Sequence, residues 1–212
     1  MSLALCGPHR SGKSTLAREY AKKYDIPFVE TSVGAIYKDM GYDPAVTYDF
    51  VTRLGIQEEI LKRVDAEVYK KHSGETYITD RSPVDMAAYT LADAIGDRVP
   101  DASYDRLMKY IADCMDIAAK RFSMICLIRP GIPLVGEANK AVLNRAYIEH
   151  LDVVMMGLMR DLCLKTDCIF LDRDVTDLNE RIELVRDEYL YGIGQCEEEK
   201  KRRVKNGDIF IH

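Results

Sequence analysis

Five short apolar runs alternate along the chain with longer segments in which apolar residues recur at helical spacing. The runs cover residues 2–6, 27–30, 76–79, 123–128 and 168–171. Four of the five lack clean polar alternation, which is typical of parallel strands that are buried on both faces. The helical spacing predicts helices over residues 13–23, 46–71, 84–95, 104–122, 141–164 and 177–191. Residues 31–44 read as a loop with one helical turn.

This alternation of strands and helices predicts the fold class. We expect an α/β protein with a doubly wound, mostly parallel five-stranded sheet and helices on both faces. A chain of 212 residues is most simply one domain that spans residues 1–212. Ligands of such sheets bind beyond the carboxyl ends of the strands, so the loops that follow the strands are the first places to look for chemistry.

The first predicted strand runs directly into a glycine-rich loop at residues 7–15, which a helix follows. The loop has the spacing G-x-x-x-x-G-K-[ST], the Walker A pattern that binds phosphates. Gly7 and Gly12 allow a tight turn that aims backbone N–H groups at one anion. We predict that Lys13 reaches the β- and γ-phosphates of ATP and that Ser14 ligates Mg²⁺. The predicted nucleotide-binding residues are Gly7, Arg10, Ser11, Gly12, Lys13, Ser14 and Thr15.

Composition and charge narrow the class of protein. The six cysteines include no C-x-x-C pair, which favours free thiols in a reducing compartment. The first residues do not resemble a secretory signal, and no run approaches the roughly 18 apolar residues of a membrane span. The formal net charge of −5 does not suggest a general nucleic-acid coat, although a local basic cleft stays open. We therefore expect a cytoplasmic protein without a membrane partner.

A second motif, Asp80-Arg81-Ser82, follows the third predicted strand at the sheet edge where the glycine-rich loop opens. A carboxylate there can accept a proton from an attacking hydroxyl or hold Mg²⁺, and an adjacent arginine can neutralise charge on a transferring phosphoryl group. The same residues can begin a helix, with Ser82 or Asp80 as the N-cap and Pro83 in the first turn. The two roles are compatible.

Together, these two motifs resemble the nucleoside and nucleotide kinase branch of P-loop proteins. Thymidylate kinases carry an Asp-Arg pair after the third strand, and deoxynucleoside kinases carry Glu-Arg-Ser. Arg10 resembles the loop arginine of some thymidylate kinases and of phage deoxynucleoside monophosphate kinases, which lies against the transferring phosphate. The resemblance implies an ATP-dependent kinase whose catalytic residues include Lys13, Asp80, Arg81 and Arg10.

The resemblance also implies an acceptor-binding region at about residues 30–70. Glu30 stands just after the second predicted strand, where these kinases present a carboxylate to the acceptor. They also use an arginine and a glutamine from the next helix, and Arg53 and Gln57 lie one helical turn apart on a shared face. The implied acceptor-binding residues are Glu30, Arg53, Gln57, Asp80 and Arg81, and the implied metal-binding residues are Ser14 and Asp80.

Residues 129–147 fit a lid that closes over ATP and excludes water. The segment follows the fourth predicted strand and contains two prolines, two glycines and few arginines. We expect Arg145 to be its catalytic arginine, with Arg129 as the second candidate. After the last strand, residues 172–177 lie where these kinases pack adenine.

Three functions remain open from the sequence. The leading one is transfer of the γ-phosphoryl group of ATP to a nucleoside or nucleoside monophosphate. An Asp80 base beside a neutral hydroxyl favours a nucleoside, whereas Arg10 with Arg53 favours an acceptor that already carries a phosphate. We favour the monophosphate.

The first alternative is a phage-type kinase that phosphorylates hydroxymethylated pyrimidine bases in DNA. The acidic pI of about 5.5 weighs against this nucleic-acid partner, because binding of a phosphate backbone needs clustered Lys and Arg. The other alternative is a P-loop ATPase switch, but the parts that position a hydrolytic water are not apparent. Helices at residues 104–122 and 141–164 could supply a homodimer interface.

Overall fold

The five predicted strands form a parallel sheet in the computed structural model, which describes residues 2–43, 46–94, 99–133, 144–163 and 165–205. The strands are β1 (Ser2–Cys6), β2 (Phe28–Val29), β3 (Tyr77–Thr79), β4 (Met124–Ile128) and β5 (Asp167–Leu171). Their order across the sheet is β2-β3-β1-β4-β5, and every neighbouring pair is parallel. The predicted α/β sheet is confirmed.

Seven α-helices connect and cover these strands in the described ranges. They are α1 (Lys13–Tyr24), α2 (Val33–Asp39), α3 (Phe50–Val64), α4 (Pro83–Asp93), α5 (Tyr104–Arg121), α6 (Arg145–Leu162) and α7 (Leu178–Lys205). A π-helical turn at Asp65–Tyr69 continues α3, and a short 3₁₀ turn at Asp101–Ser103 precedes α5.

The core has two parts, one on each face of the sheet, because successive side chains of a strand point to opposite faces. Ala4 and Cys6 of β1 pack in the cluster formed with α3, α4, α5 and α6. Leu3 and Leu5 pack in the other cluster, with α1 and α7. This arrangement confirms the prediction of helices on both faces.

The helix boundaries differ from the predicted ones where local contacts decide them. Helix α3 begins at Phe50 rather than near Val46, because the carboxylate of Asp49 accepts the backbone N–H of Thr52 at 3.0 Å and so caps the helix. Helix α7 continues past Tyr191, although two nearby glycines are weak helix formers. A Cβ at Gly192 would lie 2.6 Å from Cε of Met124, so this glycine lets α7 lie close to the sheet.

The described cysteines, which are Cys6, Cys114, Cys126, Cys163 and Cys168, all carry free thiols, as the sequence predicts. Burial raises the pKa of the Cys114 thiol to about 12 and that of the Cys6 thiol well above its ordinary value. The buried thiols therefore behave as small apolar side chains. Among the helices that the structure describes, none has the length and apolar character needed to cross a membrane.

One close backbone approach yields a stability prediction. Gly131, in the loop after β4, lies so near the loop after β5 that a Cβ would stand 1.9 Å from the carbonyl oxygen of Arg173. Because the obstructing atom is backbone, we expect Gly131→Ala to lower the free energy of unfolding by about 1–3 kcal/mol. Urea denaturation measures this loss.

Gly157→Ala is the matched control, since Gly157 lies in α6 and a Cβ there would meet no described atom within 4 Å. Alanine at this helical position should stabilise the protein by about 0.5–1 kcal/mol. Equal stability changes in the two variants would contradict the proposed close contact at Gly131.

Candidate active site

The glycine-rich loop turns tightly between β1 and α1. Gly7 has φ +148° and a Cβ on it would lie 2.4 Å from the carbonyl oxygen of Ile128, so the position excludes larger residues. Gly12 has φ +87°, in the left-handed region that favours glycine. Arg10 also has a positive φ, +67°, which is uncommon for a residue with a side chain and typical of functional loops.

Lys13 lies folded over this loop. Its ammonium group donates to the carbonyl oxygens of Gly7 at 2.6 Å and of Pro8 at 2.9 Å, and Nζ is 4.0 Å from Oδ1 of Asp85. Burial lowers the pKa of Lys13, and the negative charge of Asp85 opposes that shift. The arrangement holds a cation over the turn whose backbone N–H groups would bind phosphates.

Asp85 is a site residue that sequence reasoning missed. Its side chain is 1% exposed and accepts three hydrogen bonds, from the backbone N–H of Gly7 at 3.2 Å and from the N–H and hydroxyl of Ser82 at 2.9 and 3.0 Å. Burial raises the pKa of Asp85, while Lys13 and Arg81 oppose the rise. Asp85 therefore ties the first glycine of the loop to the first turn of α4.

The sequence does carry a signal for Asp85. Ser82 and Asp85 have the S-x-x-D spacing of a capping box, and Ser82 is indeed the N-cap of α4, with Pro83 in the first turn. That spacing predicts the start of a helix. It does not predict that the carboxylate turns inward to the loop 78 residues earlier in the chain.

Asp80 lies at the carboxyl end of β3, next to the start of α1. The Ser14 hydroxyl donates a hydrogen bond to Oδ2 of Asp80. Asp80 is buried, with 8% of the residue exposed. Two oxygen ligands are therefore in contact at the mouth of the phosphate-binding loop. Oxygen ligands of this kind are what Mg²⁺ prefers, so these residues fit the metal that the sequence predicts.

A cavity of about 610 Å³ lies over these residues. The described residues that line it and were predicted as site residues are Arg10, Ser11, Gly12, Lys13, Ser14, Thr15, Glu30, Asp80 and Arg81. His9 of the loop, residues 31–34 at the start of α2, and Ile132 and Pro133 after β4 complete the lining. The volume is in the range of small-molecule sites.

Four predicted site residues do not line this cavity: Gly7, Arg53, Gln57 and Arg145. The backbone N–H of Gly7 donates to Asp85 instead. Arg53 forms an ion pair with Asp93 at the end of α4, and Gln57 is half-buried on α3. Arg145 is exposed at the first residue of α6. Glu30 does line the cavity, but it also faces Arg18 of α1 at 3.7 Å, and both side chains are largely exposed.

The predicted lid is described only in part, since residues 134–143 lie outside the described ranges. Arg129, the second candidate of that segment, is held by the buried carboxylate of Asp152 on α6, with Nη2 and Oδ2 2.9 Å apart. Arg173 donates to the same carboxylate oxygen at 2.6 Å. Asp152 thus connects the loop after β4 and the loop after β5 to helix α6 through these two arginines.

His9 connects the loop to helices α4 and α6. Its backbone N–H donates to the hydroxyl of Tyr89 at 3.0 Å, and its ring lies 5.9 Å from that of Tyr147. Burial lowers the pKa of His9, and Lys13 and Arg10 add to the shift, so the ring is neutral at physiological pH. The structure assigns His9 a place in packing the loop.

The parallel sheet, the glycine-rich loop with Lys13, and the Asp-Arg pair at the end of the neighbouring strand define the P-loop kinase fold. A family model described as an AAA domain matches residues 2–113, which is more than half of the chain. The protein belongs to this AAA domain family. A search of curated protein sequences gives no significant match.

Several solved structures are similar to the chain in fold. Deoxyadenosine kinase from M. mycoides with bound dCTP has a TM-score of 0.63 and 16% identity, with 90% of this chain and 100% of that chain covered. The NadR protein in complex with NAD and AMP-PNP has a TM-score of 0.61 and 16% identity, covering 88% and 49%. Thymidylate kinase from Candida albicans has a TM-score of 0.55 and 12% identity, covering 88% and 89%.

Proposed function

We propose that this protein transfers the γ-phosphoryl group of ATP to the hydroxyl group of a nucleoside. The observation that carries the proposal is the contact between Ser14 and Asp80 beside Lys13, in a cavity that Arg81 also lines. A phosphate-binding loop alone supports many reactions. A carboxylate and an arginine on the open side of that loop are the groups that phosphoryl transfer to a second substrate requires.

Each side of the cavity has a separate task in this proposal. The loop N–H groups and Lys13 hold the phosphates, while Arg81 and Arg10 stabilise charge on the transferring group. Ser14 and Asp80 would hold Mg²⁺, which neutralises phosphate charge when bound. Asp80 also orients the acceptor hydroxyl and accepts its proton. Arg145 is proposed to join this group from the lid.

Acceptor and donor enter from opposite ends of the sheet. The acceptor occupies the β2 side, where Glu30 and residues 31–34 line the cavity. The donor base occupies the β5 side, near residues 172–177. Because β1 lies at the centre of the sheet, the loop that follows it faces both substrates.

The charge pattern on the acceptor side supports a nucleoside rather than the monophosphate that the sequence favours. Arg53 would have to meet the phosphate of such an acceptor, yet it is paired with Asp93. Arg18 is similarly near Glu30. A second phosphate there would have to displace a carboxylate from its arginine, whereas an uncharged acceptor would leave these pairs intact. Gln57 remains a proposed residue of the acceptor-binding region, but the proposal gives it no contact with an acceptor phosphate.

ADP formation from Mg·ATP across a panel of acceptors tests the proposal. The panel contains nucleosides, deoxynucleoside monophosphates and DNA with or without hydroxymethylated pyrimidines. We expect turnover that depends on one or a few nucleosides. Turnover with monophosphates alone would restore the acceptor favoured by the sequence, turnover with modified DNA alone would indicate a DNA kinase, and ADP release indifferent to every acceptor would indicate an ATPase.

A further inference from the structure

Arg181, in the first turn of α7, reaches the phosphate-binding loop from behind. Arg181 is buried, with only 2% of the residue exposed. Nε donates to the carbonyl oxygen of Val175 at 2.6 Å, and Nη1 donates to the carbonyl oxygen of Ser11 at 3.0 Å. One guanidinium group therefore connects the loop after β5 to the loop after β1, across 170 positions of the chain.

The charge of this guanidinium group is poorly compensated. Both of its acceptors are neutral carbonyl oxygens, and the buried Nη2 has no hydrogen-bond partner among the residues that the structure describes. None of the ion pairs found among the described residues involves Arg181, and burial lowers its pKa. Protein interiors rarely keep a buried cation without a carboxylate, because desolvation of the charge is costly.

The position of Arg181 indicates where an anion would bind to balance its charge. A Cβ built on Gly12 would lie 3.3 Å from Nη1, so the guanidinium group stands directly behind the glycine that precedes Lys13. The N-terminus of α1 begins at the same point, and its N–H groups carry partial positive charge. An anion bound on the open side of the loop would be attracted by Lys13, by the helix end and by Arg181 together.

We propose that Arg181 is a positioning residue of the ATP-binding site. It fixes the backbone at Ser11 and Gly12. It also supplies a permanent positive charge beneath that backbone, and the phosphates of ATP balance this charge. The identity of the anion as ATP rests on the proposed function. Arg181 acts through the loop, since its guanidinium group is enclosed by protein. The protein without nucleotide therefore carries an unfavourable buried charge, and phosphate binding relieves it.

The effects of removing Arg181 on stability without nucleotide and on affinity for ATP distinguish this proposal from a purely structural role. Replacement of buried charged groups by apolar side chains of similar volume is often neutral or stabilising. The same replacement weakens the binding of a polyanion. A residue that only supported the fold would lower stability and affinity together.

The test compares three variants, Arg181→Met, Arg181→Gln and Arg181→Lys, with the wild type. Calorimetric titration measures the binding of Mg·ATP and of adenosine, and thermal unfolding without nucleotide measures stability. Methionine removes charge and donors, glutamine keeps donors without charge, and lysine keeps charge. We expect about tenfold weaker binding of Mg·ATP in the methionine and glutamine variants, a smaller loss in the lysine variant, unchanged adenosine binding, and unfolding temperatures equal to or above that of the wild type.

Arg186→Met is the matched control, because Arg186 lies on the same helix and stacks on the ring of Tyr24, with Cζ 4.6 Å from the ring centroid. It should leave the affinity for Mg·ATP unchanged. Equal Mg·ATP affinity in the wild type and Arg181→Met, or a weakened affinity accompanied by a lower unfolding temperature in all three Arg181 variants, would overturn the inference alone. A wild type that does not bind Mg·ATP would overturn the proposed function as well.

Discussion

Lys13→Met should lower acceptor-dependent ADP formation by about 10²–10³-fold, the usual effect of removing one positioned charge from a transition-state site. Methionine keeps the apolar part of the side chain beside Gly7 and Pro8 but cannot attract phosphates. The neighbouring carboxylate of Asp85 then loses its cation and takes up a proton more readily, because it is buried. Steady-state kinetics with Mg·ATP and the best acceptor of the panel measure the loss as kcat/KM.

The control for this substitution is Lys22→Met. Lys22 is exposed in the last turn of the same helix, α1, so its kinetics should match those of the wild type. Circular dichroism should show that both variants are folded. A Lys13→Met variant with activity within tenfold of the wild type would mean that the reacting phosphate does not bind at this loop.

Asp80→Asn should lower kcat by about 10²–10⁴-fold, the range expected for loss of a general base. Asparagine has nearly the same shape, and its amide oxygen can still accept the Ser14 hydroxyl hydrogen. It carries no charge to hold a metal and accepts a proton poorly. The loss should therefore exceed the change in KM for ATP. Titration of activity with Mg²⁺ should also shift to higher metal concentration if the residue holds the ion.

Asp105→Asn, on the exposed surface of α5, controls for the change in formal charge and should be silent. A normal kcat for Asp80→Asn would leave Glu30, the other carboxylate of the cavity lining, as the candidate base. A normal kcat with a raised Mg²⁺ requirement would restrict Asp80 to metal binding.

The strands and the phosphate-binding loop were predictable because their signals are local. An apolar run of residues at the start of the chain, two glycines at fixed spacing and a following helix identify β1, the loop and α1 without knowledge of the rest of the fold. Asp80 was predictable for a related reason, since parallel strands end at one edge of the sheet. Glu30 follows the same rule and also lines the cavity.

Residues whose roles depend on distant partners were not predictable in the same way. Arg53 has the spacing of an acceptor-binding residue, but Asp93, 40 positions away, pairs with it. Asp152 has no local signal, although it receives two arginines from different loops. Arg181 reads as an ordinary helix residue, since only the folded chain brings Ser11 against it. Burial of a charge is a property of the assembled protein.

The fixed backbone of the phosphate-binding loop has a consequence for the thermodynamics of nucleotide binding. Contacts from Asp85, Tyr89 and Arg181 already hold the loop at Gly7, His9 and Ser11. Ordering one residue costs about 1–2 kcal/mol of conformational entropy, and here that cost is met when the chain folds. Association with a nucleotide then loses little further entropy from this segment, so more of the phosphate interaction energy is expressed as affinity.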